Sequence, residues 1–216
     1  MAPPKLSSSI LFFRCLPVGL LQANCYLIGC AKSKETAIVD PGGEPELIIN
    51  VVKKHHLQVK YIFNSHGHFD HISANRAVKL ATGAPILIHQ LDAAWLTSPL
   101  QPPAEFGPIE IDSPPADEYL HDGDCYRIGE MGLRIIHTPG HSKGSVCLLL
   151  QERILTGDTL FSGSIGRTDL PGGSESEIIN SIKQKILSLP ETLLVFPGHG
   201  PATTIGEEKR SNPFLY

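Results

Sequence analysis

The 216-residue sequence has no apolar run long enough to cross a membrane, and it has little excess charge of either sign. A spanning helix needs about 18 or more consecutive apolar residues. Lysine and arginine total 18 against 22 aspartates and glutamates, which gives a formal net charge of −4. A general nucleic-acid binder needs a basic face. We therefore expect a protein without a membrane or nucleic-acid partner.

Paired cysteines are also lacking. The five cysteines form no C-x-x-C pair, and their odd number argues against a complete disulfide framework. A reducing compartment, and hence the cytoplasm, is the simplest expectation. The N-terminus carries Lys5, serines at positions 7–9 and Arg14, but no small-residue cleavage site follows the apolar stretch 10–13. We expect a loose N-terminal extension over residues 1–8 and one domain over residues 9–216.

Apolar patterning predicts a mixture of strands and helices. Helical spacing of apolar residues predicts helices over residues 44–56 and 74–81. The capping box Ser174-x-x-Glu177 predicts a third helix that runs to Pro190. Short β-branched or apolar runs between turn residues predict strands over residues 10–15, 24–28, 36–39, 59–64, 85–89, 125–128, 133–137, 145–150, 154–156 and 193–196. This mixture is typical of one α/β domain with layered sheets and outer helices.

Residues 99–115 contain six prolines and three acidic residues, which is too much proline for a central strand. Long irregular segments inside a domain often form the wall or lid of a functional site. A solvated surface insertion explains the same composition, and the sequence leaves both interpretations open.

Five of the ten histidines lie in three short loops, each directly after a predicted strand. The first loop reads Ser-His-Gly-His-Phe-Asp-His and contains His66, His68, Asp70 and His71. Alternate residues His66 and His68 project to one side, which leaves Asp70 and His71 for a second centre. Two later loops carry Thr-Pro-Gly-His, ending at His141, and Pro-Gly-His, ending at His199; a Gly-Asp pair contributes Asp158.

This set of side chains has the chemistry of a metal site. Neutral imidazole and carboxylate are the ligands that zinc and similar ions prefer. Five histidines and two aspartates are too many for one tetrahedral ion, but they suit two ions that share a carboxylate. A single buried histidine is usually a packed core residue, whereas this combination of loops indicates a two-metal centre.

The run from His66 to His71, followed by His141, Asp158 and His199, resembles the metallo-β-lactamase superfamily. Residues 161–169 and 206–214 resemble the small single-domain glyoxalase II-like hydrolases within it. The resemblance implies a four-layer αβ/βα sandwich with the metals at one edge, between two mixed sheets. It also implies that one metal is held by His66, His68 and His141, the other by Asp70, His71 and His199, and that Asp158 bridges them.

The resemblance also implies an activity, namely metal-dependent hydrolysis of a thioester such as S-D-lactoylglutathione. Two divalent ions, zinc first with iron or manganese as alternatives, lower the pKa of a shared water toward neutrality. Asp70 is then the catalytic residue that orients this water. Arg167 is expected to bind the glycine carboxylate of the substrate. Lys143 lies beside His141 in sequence and either lines the mouth of the site or is an ordinary surface lysine.

Two departures from glyoxalase II predict weak glutathione recognition. The sequence ends soon after His199, without the C-terminal helical domain that grips glutathione in the full-length enzymes. Asp169 stands where those enzymes have a tyrosine.

Other activities remain open. A persulfide dioxygenase, with one iron on His66, His141 and Asp158, shares the Gly-Arg-Thr-Asp segment, but its next residues differ from those found here. A lactonase shares all seven ligands. A β-lactamase of the commonest zinc type is disfavoured, because it has a cysteine where Asp158 stands. A purely structural metal is disfavoured because structural zinc sites are closed and rich in cysteine.

Overall fold

The computed structural model describes residues 11–100 and 111–216, so the expected extension over residues 1–8 and the middle of the proline-rich segment lie outside the described residues. The first of two six-stranded sheets contains the N-terminal strands in chain order. They are β1 (Leu11–Val18), β2 (Ala23–Cys30), β3 (Glu35–Val39), β4 (Gln58–Phe63), β5 (Ile86–His89) and β6 (Glu118–Leu120). Pairing is antiparallel from β1 to β3 and parallel from β3 to β6, so the sheet is mixed.

The second sheet is formed by the C-terminal half of the chain. Its strands are β7 (Cys125–Ile128), β8 (Met131–His137), β9 (Val146–Leu150), β10 (Arg153–Gly157), β13 (Leu194–Pro197) and β14 (Thr203–Thr204), adjacent in that order. Between β10 and β13 the chain makes a separate hairpin of β11 (Leu160–Phe161) and β12 (Ser164–Ile165). Pairing of β10 with β13 is parallel and the other pairs are antiparallel, so this sheet is mixed as well.

Within the described ranges, six α-helices connect or flank the strands: α1 (Pro45–Lys54), α2 (Phe69–Ile72), α3 (Asn75–Thr82), α4 (Ala94–Thr97), α5 (Glu175–Ser181) and α6 (Ile205–Ser211). A π-helical turn (Ile182–Ile186) continues α5, and a short 3-10 turn (Pro213–Leu215) follows α6. Among the helices of the described ranges, none has both the length and the apolar character needed to cross a membrane.

Side-chain alternation along the strands separates the core into three apolar layers. On β2, Tyr26 and Ile28 face the second sheet and pack with residues such as Leu148, whereas Leu27 faces the helices. The outer side of the first sheet packs against α1 and α3, and the outer side of the second packs against α5 through Ile178. The order helix, sheet, sheet, helix confirms the predicted four-layer α/β sandwich.

The strand and helix predictions hold with shifted boundaries. The strand predicted over residues 10–15 extends through Pro17 to Val18, and the turn after it starts only at Gly19. Proline is tolerated there since β1 is an edge strand. The predicted cap of the third helix is present, with the Glu177 N–H donating to Ser174 Oγ at 3.4 Å. That helix does not continue regularly to Pro190, because its α-helical part ends at Ser181 and the π-helical turn follows.

Candidate metal centre

The loops that carry the predicted ligands leave the sheets at one edge. Strands β8, β10 and β13 all run in the same direction, since β9 is antiparallel to both β8 and β10, and β13 is parallel to β10. Their C-terminal ends therefore place His141, Asp158 and His199 side by side. The loop after β4, in the other sheet, brings His66 and His68 to the same edge, and the chain then turns into α2.

Two glycines allow these loops to approach one another. A Cβ added to Gly198 would lie 2.2 Å from Asp158 Oδ1, so only glycine lets the His199 loop pass so close to that carboxylate. Gly140 has a φ of 137°, and a Cβ there would lie 2.1 Å from the backbone nitrogen of Ile178. The loop before His141 thus rests directly on the start of α5.

Three buried imidazoles form the first of two ligand groups, which we call the His triad: His66, His68 and His141. His141 Nε2 lies 3.2 Å from His66 Nε2 and 2.8 Å from His68 Nδ1. Nitrogens bound tetrahedrally to zinc at about 2.0–2.1 Å are roughly 3.3 Å apart. The spacing of the His triad therefore fits a shared metal ion.

The second group, which we call the mixed triad, consists of Asp70, His71 and His199. Asp70 Oδ2 lies 3.1 Å from His199 Nε2 and 3.5 Å from His71 Nε2. All three side chains are mostly or fully buried. Two nitrogens and a carboxylate oxygen thus face one point, as a second metal ion requires.

Asp158 lies between the two triads. Its Oδ2 is 3.6 Å from His141 Nε2 of the His triad and 3.7 Å from His199 Nε2 of the mixed triad, and its Oδ1 is 3.4 Å from His71 Nε2. Asp158 is the one predicted ligand whose carboxylate reaches both groups.

Unpaired polar atoms support a cation at this place. Within the described parts of the chain, buried Asp158 Oδ1 and His71 Nε2 have no hydrogen-bond partner. Buried polar atoms are nearly always paired, and an orphan costs free energy. A divalent ion would satisfy both atoms, so the residues present fit the metal site that the superfamily implies.

The two triads differ in electrostatic character. Burial, together with the facing histidines, lowers the pKa of His66 well below its usual range and that of His68 to about 3. Burial opposes a charge on His71 as well, but the carboxylates of Asp70 and Asp158 raise its pKa well above its usual range. His66 and His68 therefore favour the neutral imidazole, whereas the neighbouring carboxylates favour the charged form of His71.

Asp40 supports the loop that carries the first ligands, the metal loop, through contacts at Ser65 and His71. It has a φ of 54°, as in a turn, and its two oxygens accept from the Ser65 N–H and the Ser65 hydroxyl at 2.7 Å each. Its Oδ2 also lies 3.1 Å from His71 Nδ1. Asp40 thus forms a turn and at the same time supports the metal loop.

Two residues near the His triad were missed in the sequence. Asp92 is completely buried and accepts hydrogen bonds from the N–H groups of Gly67 and Gly144 and from the Ser142 hydroxyl. The indole of Trp95 stacks on His68, with ring centroids 5.3 Å apart and planes 16° apart. Neither residue belongs to a short motif, so no local signal could have identified it.

A cavity of about 570 Å³ opens over the metal site. His68, Asp70, His141, Asp158 and His199 are among its lining residues. The other residues that line it are mainly apolar and include Leu21, Phe69, Leu100, Phe161, Ile165 and Leu170. Its size is that of a small-molecule site.

The two predicted substrate-binding residues lie in different surroundings. Arg167 lines the cavity, and its Nε and Nη2 donate to the carboxylate of Asp169 at 2.8 Å each. Lys143 is exposed and is not among the described residues that line the cavity. A direct role for Lys143 stays a prediction.

Comparison with known proteins agrees with this architecture. Residues 18–199 match the family model described as the metallo-beta-lactamase superfamily. The chain is 39% identical to the probable metallo-hydrolase YqgX of Bacillus subtilis, over 94% of this chain and 97% of that protein. It is 38% identical to the hydroxyacylglutathione hydrolase GloC of Haemophilus influenzae, over 93% and 96% respectively.

Solved structures give the same result. The crystal structure of the B3 metallo-beta-lactamase BLEG-1 matches with a TM-score of 0.86 and 40% identity, over 94% of this chain and 99% of that one. TTHA1623 in a di-iron-bound form matches with a TM-score of 0.83 and 35% identity, over 94% and 100%. Both similarities extend over nearly the full length of the chains.

Proposed function

Because the chain belongs to the metallo-β-lactamase superfamily and is a metallo-hydrolase, we propose that it hydrolyses S-acylglutathione-type thioesters, such as S-D-lactoylglutathione, with two divalent metal ions. The observation that carries the two-metal part of the proposal is the position of Asp158 between the His triad and the mixed triad. The similarity to GloC, which is named a hydroxyacylglutathione hydrolase, supports the thioester as substrate.

Each triad would hold one ion, and Asp158 would contact both. The first position offers three imidazole nitrogens, from His66, His68 and His141, and the second combines Asp70, His71 and His199. When bound, such ions polarise a substrate carbonyl and lower the pKa of water toward neutrality. Zinc suits these ligands, and iron or manganese suits them too; the di-iron form of TTHA1623 makes iron a concrete alternative.

The side chains on the cavity floor position the reactants. Asp70 lies there beside His199, and its carboxylate would orient the attacking water and accept its hydrogen bond. Hydrolysis adds this water across the C–S bond, which breaks to give a carboxylic acid and a thiol. A thiolate leaves readily, so the reaction needs no strong general acid. Arg167 on the cavity wall would bind a substrate carboxylate, and Lys143 would act only at the outer rim.

The experiment that tests the proposal is thiol release from S-D-lactoylglutathione by protein loaded with zinc or with iron, before and after chelation. We expect turnover that chelation abolishes and metal restores, with a KM between about 1 μM and 1 mM. Absence of thioester turnover by protein that holds two metal ions would refute the proposed substrate class.

Three other substrates complete this experiment. A chromogenic cephalosporin tests β-lactam hydrolysis, which the similarity to BLEG-1 makes the second candidate. Oxygen uptake with glutathione persulfide tests the dioxygenase alternative, and release of acid from a simple lactone tests the lactonase alternative. If one of these exceeds the thioester in kcat/KM by more than about ten-fold, that reaction replaces our proposal.

A further inference from the structure

The apolar wall of the cavity indicates which kind of substrate fits, a point on which the metal ligands are silent. Among the described residues that line the cavity, Arg167 is the one side chain of the Lys/Arg type. Its guanidinium already forms an ion pair with the carboxylate of Asp169. Leu21, Phe69 and Phe161 present apolar surface beside the metal site. Apolar surface of this kind gains affinity only when a ligand covers it with apolar atoms.

Glutathione cannot supply those atoms, because its peptide is polar and charged along its whole length. In an S-acylglutathione, the acyl half is the part that can be apolar. We propose, on the basis of the proposed thioesterase function, that the preferred acyl group is an uncharged alkyl chain of several carbons rather than the short, hydroxylated lactoyl group.

A chain-length series tests this proposal directly. The substrates are the acetyl, butyryl and hexanoyl thioesters of glutathione, with S-D-lactoylglutathione as the polar reference. We expect kcat/KM to rise by about two- to four-fold for each added CH₂, since a buried CH₂ contributes about 0.8 kcal/mol. Equal values along the series, or a preference for lactoyl over butyryl, would overturn the proposal.

Variants locate the effect in the cavity. Leu170→Ser removes part of the wall, and Leu80→Ser, on the exposed face of α3, is the matched control. We expect Leu170→Ser to lower kcat/KM for the hexanoyl substrate by about ten-fold and for the acetyl substrate by less than two-fold. Leu80→Ser should change neither. Equal losses on both substrates in Leu170→Ser would contradict a role for the wall in acyl recognition.

Binding of the product acids separates this inference from the proposed function. Hexanoate and acetate are titrated against the metal-loaded protein. If no thioester is hydrolysed but hexanoate binds at least ten-fold more tightly than acetate, the cavity preference holds and the proposed reaction fails. If thioesters are hydrolysed and the two acids bind equally, the reaction holds and the apolar preference fails.

A different observation concerns Asp92. Its Oδ2 accepts from the Gly67 N–H at 3.1 Å and from the Ser142 hydroxyl at 2.6 Å, and its Oδ1 accepts from the Gly144 N–H at 2.7 Å. Gly67 lies between His66 and His68, and Ser142 follows His141. The carboxylate therefore joins the two loops that carry the His triad, and none of these three donors belongs to the mixed triad.

We infer that Asp92 is a positioning residue for one metal position, the His triad, and not for the other. A carboxylate accepts at both oxygens, which matches three converging donors. In Asp92→Asn the amide group would face at least one N–H or O–H donor, so the two loops would lose their fixed separation. Partners of this type, one step removed from the metal, typically affect affinity by 10- to 100-fold.

The test measures zinc affinity at each position separately, by competition with a coloured chelator. His199→Ala leaves the His triad as the stronger position, and His68→Ala leaves the mixed triad. Adding Asp92→Asn should weaken zinc binding about 10- to 100-fold in the His199→Ala protein and less than two-fold in the His68→Ala protein. Asp117→Asn, a carboxylate that pairs with Lys79 on the surface, is the control in both.

Two results would overturn this assignment. One is an equal loss in both backgrounds, which is the sign of general destabilisation; the other is no loss in either. Should Asp92→Asn fail to fold, Ser142→Ala removes one of the three donors and leaves the carboxylate in place. Its effect should have the same selectivity and a smaller size, about three- to ten-fold, and equal effects in the two backgrounds would again contradict the inference.

Discussion

At the scale of single residues, the centre depends on side chains that each lie against two or more other site residues. Asp158 does this between the triads, where its two oxygens face His71, His141 and His199. Asp40 lies one step further from the centre, where its carboxylate accepts from the Ser65 N–H and lies 3.1 Å from His71 Nδ1. Removing such a residue disturbs all of its neighbours, so we expect a larger effect on metal binding than from the loss of a residue with a single contact.

Asp158→Ala should therefore affect both metal positions. We expect the bound metal to fall from two ions per chain to one or fewer, and kcat/KM to fall by at least about 100-fold, since even residues outside the direct ligand set contribute 10- to 100-fold. Elemental analysis and thiol release measure the two effects. Glu130→Ala, an exposed acid paired with Lys32, is the control. Retention of two ions and of full activity would exclude Asp158 as the shared ligand.

Arg167→Ala should act on substrate binding rather than on chemistry. Because Asp169 already accepts from two of the guanidinium nitrogens, the charge available to a substrate carboxylate is reduced. We expect KM for a glutathione thioester to rise by about three- to ten-fold with kcat nearly unchanged, and KM for an uncharged thioester to stay constant. Arg134→Ala, on an exposed position of β8, is the matched control. Equal changes for both substrates would show that Arg167 does not contact the carboxylate.

At the scale of structural elements, α6 fixes the hairpin that forms part of the cavity wall. Glu208 on α6 is buried, and its carboxylate accepts from the Gly163 N–H at 2.9 Å and the Asn212 amide at 2.8 Å. Asn212 also donates to the Ser164 carbonyl at 3.0 Å. Residues 206–214, which resemble the glyoxalase II-like hydrolases, thus hold β11 and β12 against the body of the protein.

Glu208→Ala should loosen this hairpin without touching the metal ligands. It leaves buried donors unpaired, so we expect the free energy of unfolding to fall by about 1–3 kcal/mol. KM should rise, because Phe161 and Ile165 of the hairpin line the cavity. Urea denaturation and steady-state kinetics measure the two effects, with metal content as an internal reference. As a control, Glu152→Ala, at an exposed position between β9 and β10, should change stability by less than about 0.5 kcal/mol. A stable variant with unchanged KM would argue against this role of α6.

At the scale of the whole molecule, the metal site joins the two sheets. The loop after β4 belongs to the first sheet, and the loops after β8, β10 and β13 belong to the second. A metal ion that binds only this folded arrangement stabilises it by mass action, by about 2.7 kcal/mol when the ion is present at 100 times its Kd.

Chelation should therefore lower the melting temperature. For a chain of this length, about 2–4 °C per kcal/mol predicts a decrease of roughly 5–10 °C. Calorimetry with and without a chelator measures it. The Asp158→Ala protein should show a much smaller shift, since it retains less metal. Identical melting temperatures for loaded and chelated wild-type protein would mean that the site contributes nothing to the cohesion of the two sheets.

Short elements were the ones that sequence patterns missed. The pattern Thr204-x-x-Glu207 is a capping box, and the Glu207 N–H donates to Thr204 Oγ1 at 3.1 Å, so a closer inspection could have found α6. By contrast, the strands β6, β11, β12 and β14 are only two or three residues long. Runs this short show no periodicity, and only their neighbours in the fold make them strands.

The sequence alone determined the layered α/β fold and the set of seven side chains at the centre, because both can be predicted from short stretches of sequence. Apolar alternation and helical spacing extend over a few residues, and each ligand lies in the segment that directly follows a strand, with Asp70 and His71 on the short helix α2. The tertiary structure decided what surrounds the centre. Asp92 lies 25 residues from Gly67 and 50 from Ser142, and the apolar cavity wall is assembled from separate segments. Such residues come into contact only when the two sheets pack, so these contacts cannot be predicted from a short stretch of sequence.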